Sequence, residues 1–183
     1  MKTSMKHILY SSTVSVLLLT SGTSAFTASA VDDGLVAEAQ KAIEVLQEAD
    51  SGLTNLFNSS AGYAVFPRVG KGGAFLGGEH GKGLVYEKGN PIGEVTLTEI
   101  NVGPQVGGQS FYEVIFFNTP EALAKFKQGH FETSAQASAV AATQGAALDT
   151  NFRNGVRVFT LARGGLMLQA TIGSQQFKYK PLD

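Results

Sequence analysis

The chain has 183 residues, no Cys, no Trp and a formal net charge of −1. The absence of Cys excludes a disulfide scaffold, a zinc–thiolate site and a cysteine nucleophile. A nucleic-acid partner is not expected, because neutralising phosphates requires a basic surface. Apolar residues make up 43% of the chain, which is enough for a core, and the length favours one globular domain.

Residues 1–30 have the pattern of a secretory signal peptide. Lys2 and Lys6 precede a mostly apolar stretch, and a run of small residues ends in Ala30. We expect cleavage after Ala30 and export of the protein to the periplasm. Peripheral attachment to a membrane is compatible with this location. An uncleaved membrane anchor is the alternative. The remaining domain, residues 31–183, lacks the two lysines and has a net charge of −3.

An amphipathic helix is predicted at residues 33–50, because apolar residues recur there at spacings of three and four. Asp32 or Asp33 is expected to cap its start, and a short second helical segment begins near Leu53. Between Asp33 and Glu48 the helix carries four acids and one base, Lys41, so its polar face is acidic. The apolar positions are Val36, Ala39, Ile43 and Leu46.

From Gly62 onward, short apolar runs are separated by glycines, which is typical of an antiparallel sheet with tight turns. The run Phe111–Phe117 is apolar apart from Glu113, and this pattern indicates a central strand covered on both faces. The candidate strands are Tyr63–Pro67, Gly73–Gly78, Gly83–Glu87, Glu94–Val102, Gln109–Asn118, Val156–Arg163, Leu166–Ile172 and Gln175–Lys180.

One helix is predicted to interrupt the strands, with Thr119 as its cap and Pro120 at its first position. Residues 133–148 are ambiguous, because seven alanines favour a helix while small and polar residues alternate with period two. We predict a strand there, since periodicity is the stronger signal. No linker or second domain is visible.

The glycine-rich segment 70–83 does not fit a phosphate-binding loop. Three residues separate Gly77 from Gly81 where that loop needs four, and Gly83 follows Lys82 in place of Ser or Thr. Glycine-punctuated hairpins explain the segment better. We therefore expect no bound nucleotide.

Motifs for catalysis or metal binding are also missing. His80 and His130 are the histidines of the domain, and they form no metal-ligating pattern with acidic residues. Asp149 and the serines assemble into no recognisable triad, and no G-x-S-x-G motif occurs. We expect a protein without enzymatic activity, metal or cofactor.

Basic residues concentrate near the glycine-rich segment. If hairpin turns bring Arg68, Lys71, Lys82 and Lys88 together, they form a cationic patch for anionic lipid headgroups. The alternative is that these are ordinary solvated turn residues.

Three ordered blocks of sequence are distinctive. They are Gly62–Pro67 with its glycine-rich continuation to Gly83, Gly103–Gln109 leading into Val114–Phe117, and Ala135–Ala141. Together they closely resemble the SYLF (Ysc84-like) domain family, and the resemblance covers about residues 35–180. It implies an α+β fold, with a curved antiparallel sheet or barrel-like β body, the N-terminal helix and one or two further short helices.

The resemblance also implies a lipid-binding module without catalytic residues. Eukaryotic relatives bind phosphoinositide membranes, and their membrane contact is associated with a basic N-terminal helix. The acidic helix of this chain is not expected to be attracted to anionic lipid. We therefore predict an exported module that binds phospholipid through the β body, at Arg68, Lys71, Lys82 and Lys88. The first alternative is an envelope protein-interaction or structural module, and a hydrolase or nucleotide-binding protein is the second.

Overall fold

The computed structural model describes residues 32–72, 77–101, 109–129, 140–149, 151–163 and 175–182. The predicted signal peptide, the predicted strand Leu166–Ile172 and most of the alanine-rich segment lie outside these residues. Within these ranges, six antiparallel strands form a curved sheet that does not close, and helices pack against it, which confirms the α+β prediction. The elements are α1 (Asp33–Ala49), α2 (Leu53–Ser59), β1 (Gly62–Gly72), β2 (Gly77–Glu87), β3 (Asn90–Asn101), β4 (Gln109–Phe117), α3 (Pro120–Lys127), β5 (Val140–Ala141), α4 (Ala146–Asp149), β6 (Val156–Ala162) and β7 (Gln175–Pro181).

The strand order is β5-β6-β4-β1-β2-β3-β7, and the two-residue β5 pairs parallel with β6. The sequence predicted three strands between Tyr63 and Glu87, whereas the described residues there belong to the two long strands β1 and β2. The prediction was wrong because glycines inside β2 were taken as turns. A Cβ atom at Gly83 would lie 2.7 Å from the ring of Phe66, so this glycine permits close packing within the sheet.

Helix α1 begins where its pattern predicts, and of its four predicted apolar positions Ala39, Ile43 and Leu46 are buried while Val36 is half-buried. Asp32 Oδ1 accepts a hydrogen bond from the backbone N–H of Gly34 at 2.9 Å, and this caps the helix. The apolar stripe of α1 lies against one face of the sheet, which we call the helix face. Its buried residues are Leu35, Ala39, Ala42, Ile43 and Leu46. On the sheet they meet a cluster that includes Tyr63, Val65, Leu84, Tyr86, Phe116 and Phe159.

The opposite face, the inner face, holds a second apolar cluster around α3. The ring of Phe177 on β7 lies 5.8 Å from that of Phe66 on β1, although β2 and β3 separate these strands in the sheet. The sheet therefore curls toward this face. Phe126 of α3 fills the concavity, with its ring 5.0 Å from Phe177 and 4.8 Å from Phe117.

The predicted helix after β4 is confirmed as α3, with Thr119 Oγ1 accepting from the N–H of Ala122 at 3.2 Å. The strand predicted through residue 148 is wrong at its end, because Ala146–Asp149 form a helical turn. The carboxylate of Asp50 explains this difference. It accepts hydrogen bonds from the N–H groups of Gly145 and Ala147, at 3.2 and 2.7 Å, and so stabilises the start of that turn.

Candidate functional site

A bulge in β1 decides which side chains face α1. Val65 pairs with Leu84, and Arg68 pairs with Lys82. Two residues, Phe66 and Pro67, lie between these pairs on β1, whereas only Gly83 lies between them on β2. The extra residue reverses the alternation of side chains along the strand. Val69 therefore joins the inner cluster, and Arg68 emerges on the helix face.

Arg163, just after β6, holds this bulge in place. Its Nη1 atom donates a hydrogen bond to the carbonyl oxygen of Pro67, which sits within the bulge. Its guanidinium carbon lies 4.5 Å from the ring centroid of Tyr112, a cation–π contact. Because Pro67 has no N–H, the bulge leaves no donor unpaired at that residue.

Between the first turns of α1 and the β1–β2 ribbon lies an open groove of about 460 Å³, which we call the α1 groove. Its volume falls within the range of small-ligand sites, roughly 300–1,000 Å³. The sheet contributes one wall and the helix the other. The principal lining side chains are Arg68, His80 and Lys82 from the sheet, and Asp32, Leu35 and Glu38 from the helix.

Two like charges lie directly opposite each other in this groove. Arg68 and Lys82 are Cα partners in the β1–β2 register, and both side chains are exposed. Neither forms an ion pair or hydrogen bond within the described part of the chain, whereas Lys41 of α1 pairs with Glu44 at 3.5 Å. Like charges directly opposite on paired strands are destabilising. An anion bound between Arg68 and Lys82 would remove that repulsion.

The other predicted basic residues are placed differently. Lys71 pairs through its backbone with Glu79 and Gln109, and its side chain lies outside the described structure. Lys88 lies in the β2–β3 turn with a φ of 51°. It follows Lys82 by six positions, which is about 20 Å along an extended strand at roughly 3.3 Å per residue. The structure thus brings Arg68 and Lys82 together but places Lys88 at the other end of the ribbon.

The acidic wall of the α1 groove was not predicted. Asp32 and Glu38 precede Arg68 by 30 or more positions, and both side chains are exposed in the groove. The helical pattern shows which face of α1 is buried, but it carries no information on which strands its first turn reaches. No signal in the sequence identifies these two residues as part of the site.

Two buried carboxylates lie outside the groove and tie elements together. Asp50 is fully buried and accepts a further hydrogen bond from the N–H of Gly52 at 2.9 Å. Glu113 is fully buried on the inner face, where Nε2 of Gln175 donates to its Oε2 at 3.2 Å. The sequence marks Glu113 as the one acid in an apolar strand, but its partner on β7 was not predicted.

Ionisable side chains on the helix face are perturbed by burial. Burial raises the pKa of Tyr86 to about 12, and repulsion from the nearby Tyr63 adds to this. Burial lowers the pKa of Arg157, whose Nη1 donates to the carbonyl of Ala147 at 2.8 Å. Tyr63, Tyr86 and Arg157 do not belong to the lining of the α1 groove.

Within the described ranges, no group of three or more His, Asp or Glu side chains is placed to hold a metal ion. None of the helices in that part of the chain is both long enough and apolar enough to span a membrane. The sequence matches no known family in a scan of family models and no curated protein.

Proposed function

We propose that this protein is an exported, non-catalytic module that binds phospholipid, and that Arg68 and Lys82 bind the headgroup phosphate in the α1 groove. The resemblance to SYLF domains implies that the ligand is a lipid. The observation that carries the proposal is the placement of Arg68 opposite Lys82, exposed and without an acidic partner among the described residues.

The chemistry of the two side chains suits a phosphate group. Directly opposed residues on paired strands have Cβ atoms about 5 Å apart, so one anion can contact both side chains. The guanidinium of Arg68 can donate two parallel hydrogen bonds to phosphate oxygens, and the ammonium of Lys82 supplies a compact charge. Because the groove is open to solvent, a headgroup at a membrane surface can enter it without rearrangement of the sheet.

The test is sedimentation of the purified protein with phospholipid vesicles at low and physiological salt. We expect the double variant Arg68→Gln/Lys82→Gln to bind at least tenfold more weakly, and the loss to be larger at low salt, where screening is weaker. The matched control is Lys125→Gln/Lys178→Gln, which removes two exposed charges outside the groove lining. Equal losses in both double variants, or no loss in either, would contradict the proposal.

A protein-interaction module is the second candidate, and the acidic face of α1 favours it. Asp33, Glu38, Glu44 and Glu48 are all exposed along this helix. Such a face suits a partner with a basic surface. Recovery of one saturable envelope partner, lost on charge reversal at Glu44 and Glu48, together with no vesicle binding, would establish this candidate over the first.

A further inference from the structure

We propose that the α1 groove selects a phosphodiester that carries a primary ammonium group, as the phosphoethanolamine headgroup does. The inference rests on the proposed phosphate site and names the rest of its ligand. In this arrangement the phosphate lies against Arg68 and Lys82, and the ammonium group lies against Asp32 and Glu38 on the helix wall.

The groove is divided by charge. Its two bases come from β1 and β2, and its two acids come from the first turns of α1. No nitrogen of Arg68 or Lys82 lies within 4.0 Å of a carboxylate oxygen of Asp32 or Glu38, so the opposite charges are held apart. The formal charges of Arg68, Lys82, Asp32 and Glu38 sum to zero. A ligand with separated charges of opposite sign and no net charge complements this lining.

A purely anionic headgroup fits less well. Such a headgroup pairs with Arg68 and Lys82, but the carboxylates of Asp32 and Glu38 then face a bound anion with no cation between them. Repulsion between these like charges weakens the binding of the anionic headgroup. A quaternary ammonium group also fits less well, because it has no N–H to donate. Sites for quaternary ammonium are built from aromatic rings. None of the described side chains that line the α1 groove is Phe, Tyr or Trp.

A primary ammonium group has the donors that the acids can accept. Glu38 is exposed in the groove, and its carboxylate forms no hydrogen bond within the described part of the chain. Asp32 uses one oxygen to cap α1 through Gly34, and its second oxygen can accept from a ligand. Hydrogen bonds between charged groups are about twice as strong as neutral ones, so the amine becomes a determinant of selectivity.

The experiment compares the purified protein on three kinds of vesicle: phosphatidylcholine alone, and equimolar mixtures with phosphatidylethanolamine or phosphatidylglycerol. We expect phosphatidylethanolamine to be preferred over phosphatidylglycerol by about tenfold, or about 1.4 kcal/mol. Glu38→Gln and Asp32→Asn should each reduce this preference severalfold, because each weakens binding to phosphatidylethanolamine vesicles and strengthens binding to phosphatidylglycerol vesicles. Asn is as good a helix cap as Asp, so Asp32→Asn keeps α1 intact. Glu48→Gln, on the same helix but outside the groove lining, is the matched control.

The outcomes separate this inference from the proposed function. Equal binding of the two mixtures, or a preference that Glu38→Gln leaves unchanged, overturns the amine selectivity. The phosphate site then still stands if Arg68→Gln/Lys82→Gln weakens binding to both mixtures. If that double variant loses nothing on either mixture, the phosphate site fails and the inference fails with it.

A calorimetric titration with soluble glycerophosphoethanolamine distinguishes the source of the ligand. Weaker binding of this molecule than of vesicles, with the same loss in Glu38→Gln, supports a lipid headgroup. Tight binding without vesicle binding supports the same chemistry on a soluble phosphodiester. If neither this molecule nor the phosphatidylethanolamine vesicles bind, the inference is overturned.

Discussion

The two halves of the β1–β2 ribbon share a pair of strands but have different surroundings. In the covered half, the side chains of Tyr63 and Tyr86 are buried and stack with ring centroids 4.9 Å apart. In the open half, Arg68, His80 and Lys82 are exposed beside the α1 groove. The bulge in β1 separates the halves. One inserted residue thus converts a packed ribbon into a ribbon that presents charge on the same face.

Helix α1 shows the same contrast from end to end. Its C-terminal end joins α2 through Asp50, whose buried carboxylate accepts three backbone hydrogen bonds. Its N-terminal end is capped only locally by Asp32 and borders the α1 groove. We call the C-terminal end of α1 its covered end and the N-terminal end its open end. Stability is expected to depend on the covered end, and ligand binding on the open end.

Replacing Asp50 with alanine should produce the largest effect on stability. It leaves the N–H groups of Gly52, Gly145 and Ala147 without their acceptor. The N–H of Ala147 is buried, whereas Gly52 and Gly145 are half-buried and water can hydrate their N–H groups, so the full cost of a lost hydrogen bond to a charged group, about 1.5–3 kcal/mol, applies mainly to Ala147. We expect the free energy of unfolding in urea to fall by about 3 kcal/mol. Asp33→Ala, an exposed acid at the open end of α1, should change it by less than about 0.5 kcal/mol. A similar loss in both variants would remove the distinction between the two ends.

Arg163→Ala tests the bulge that divides the ribbon. It removes the hydrogen bond to the Pro67 carbonyl and the stacking on Tyr112, so we expect unfolding to require about 1–2 kcal/mol less. It should also weaken vesicle binding, because Arg68 depends on the bulge for its position. Arg163→Lys should restore only part of both, since an ammonium lacks the planar fork that stacks and donates together. Normal vesicle binding by folded Arg163→Ala would show that the bulge does not need this support.

The sequence predicted the elements that pack around the β1–β2 ribbon better than it predicted the open half of the ribbon, for a physical reason. Helix α1 and its apolar stripe, helix α3 with its Thr119 cap, and strand β4 follow from local periodicity and capping, and the structure confirms them. The bulge depends on how two neighbouring strands align with β1, which is not a local property. The acidic wall depends on where the first turn of α1 docks. Arg68 and Lys82 were named from their proximity in sequence, but their alignment across two strands is a result of the fold.

The smallest expected effect is an increase in stability when a charge is removed from the open half. Arg68→Gln ends the repulsion between directly opposed cations, a cross-strand effect of about 0.2–1 kcal/mol. We therefore expect the unliganded variant to need slightly more free energy to unfold, with the gain decreasing as added salt screens the native pair. Lys178→Gln on β7 is the control, because Lys178 is exposed and its partner in register is Thr96. A loss of stability in Arg68→Gln would mean that Arg68 supports the fold. The two halves of the ribbon would then differ in the exposure of their side chains but not in their contribution to stability.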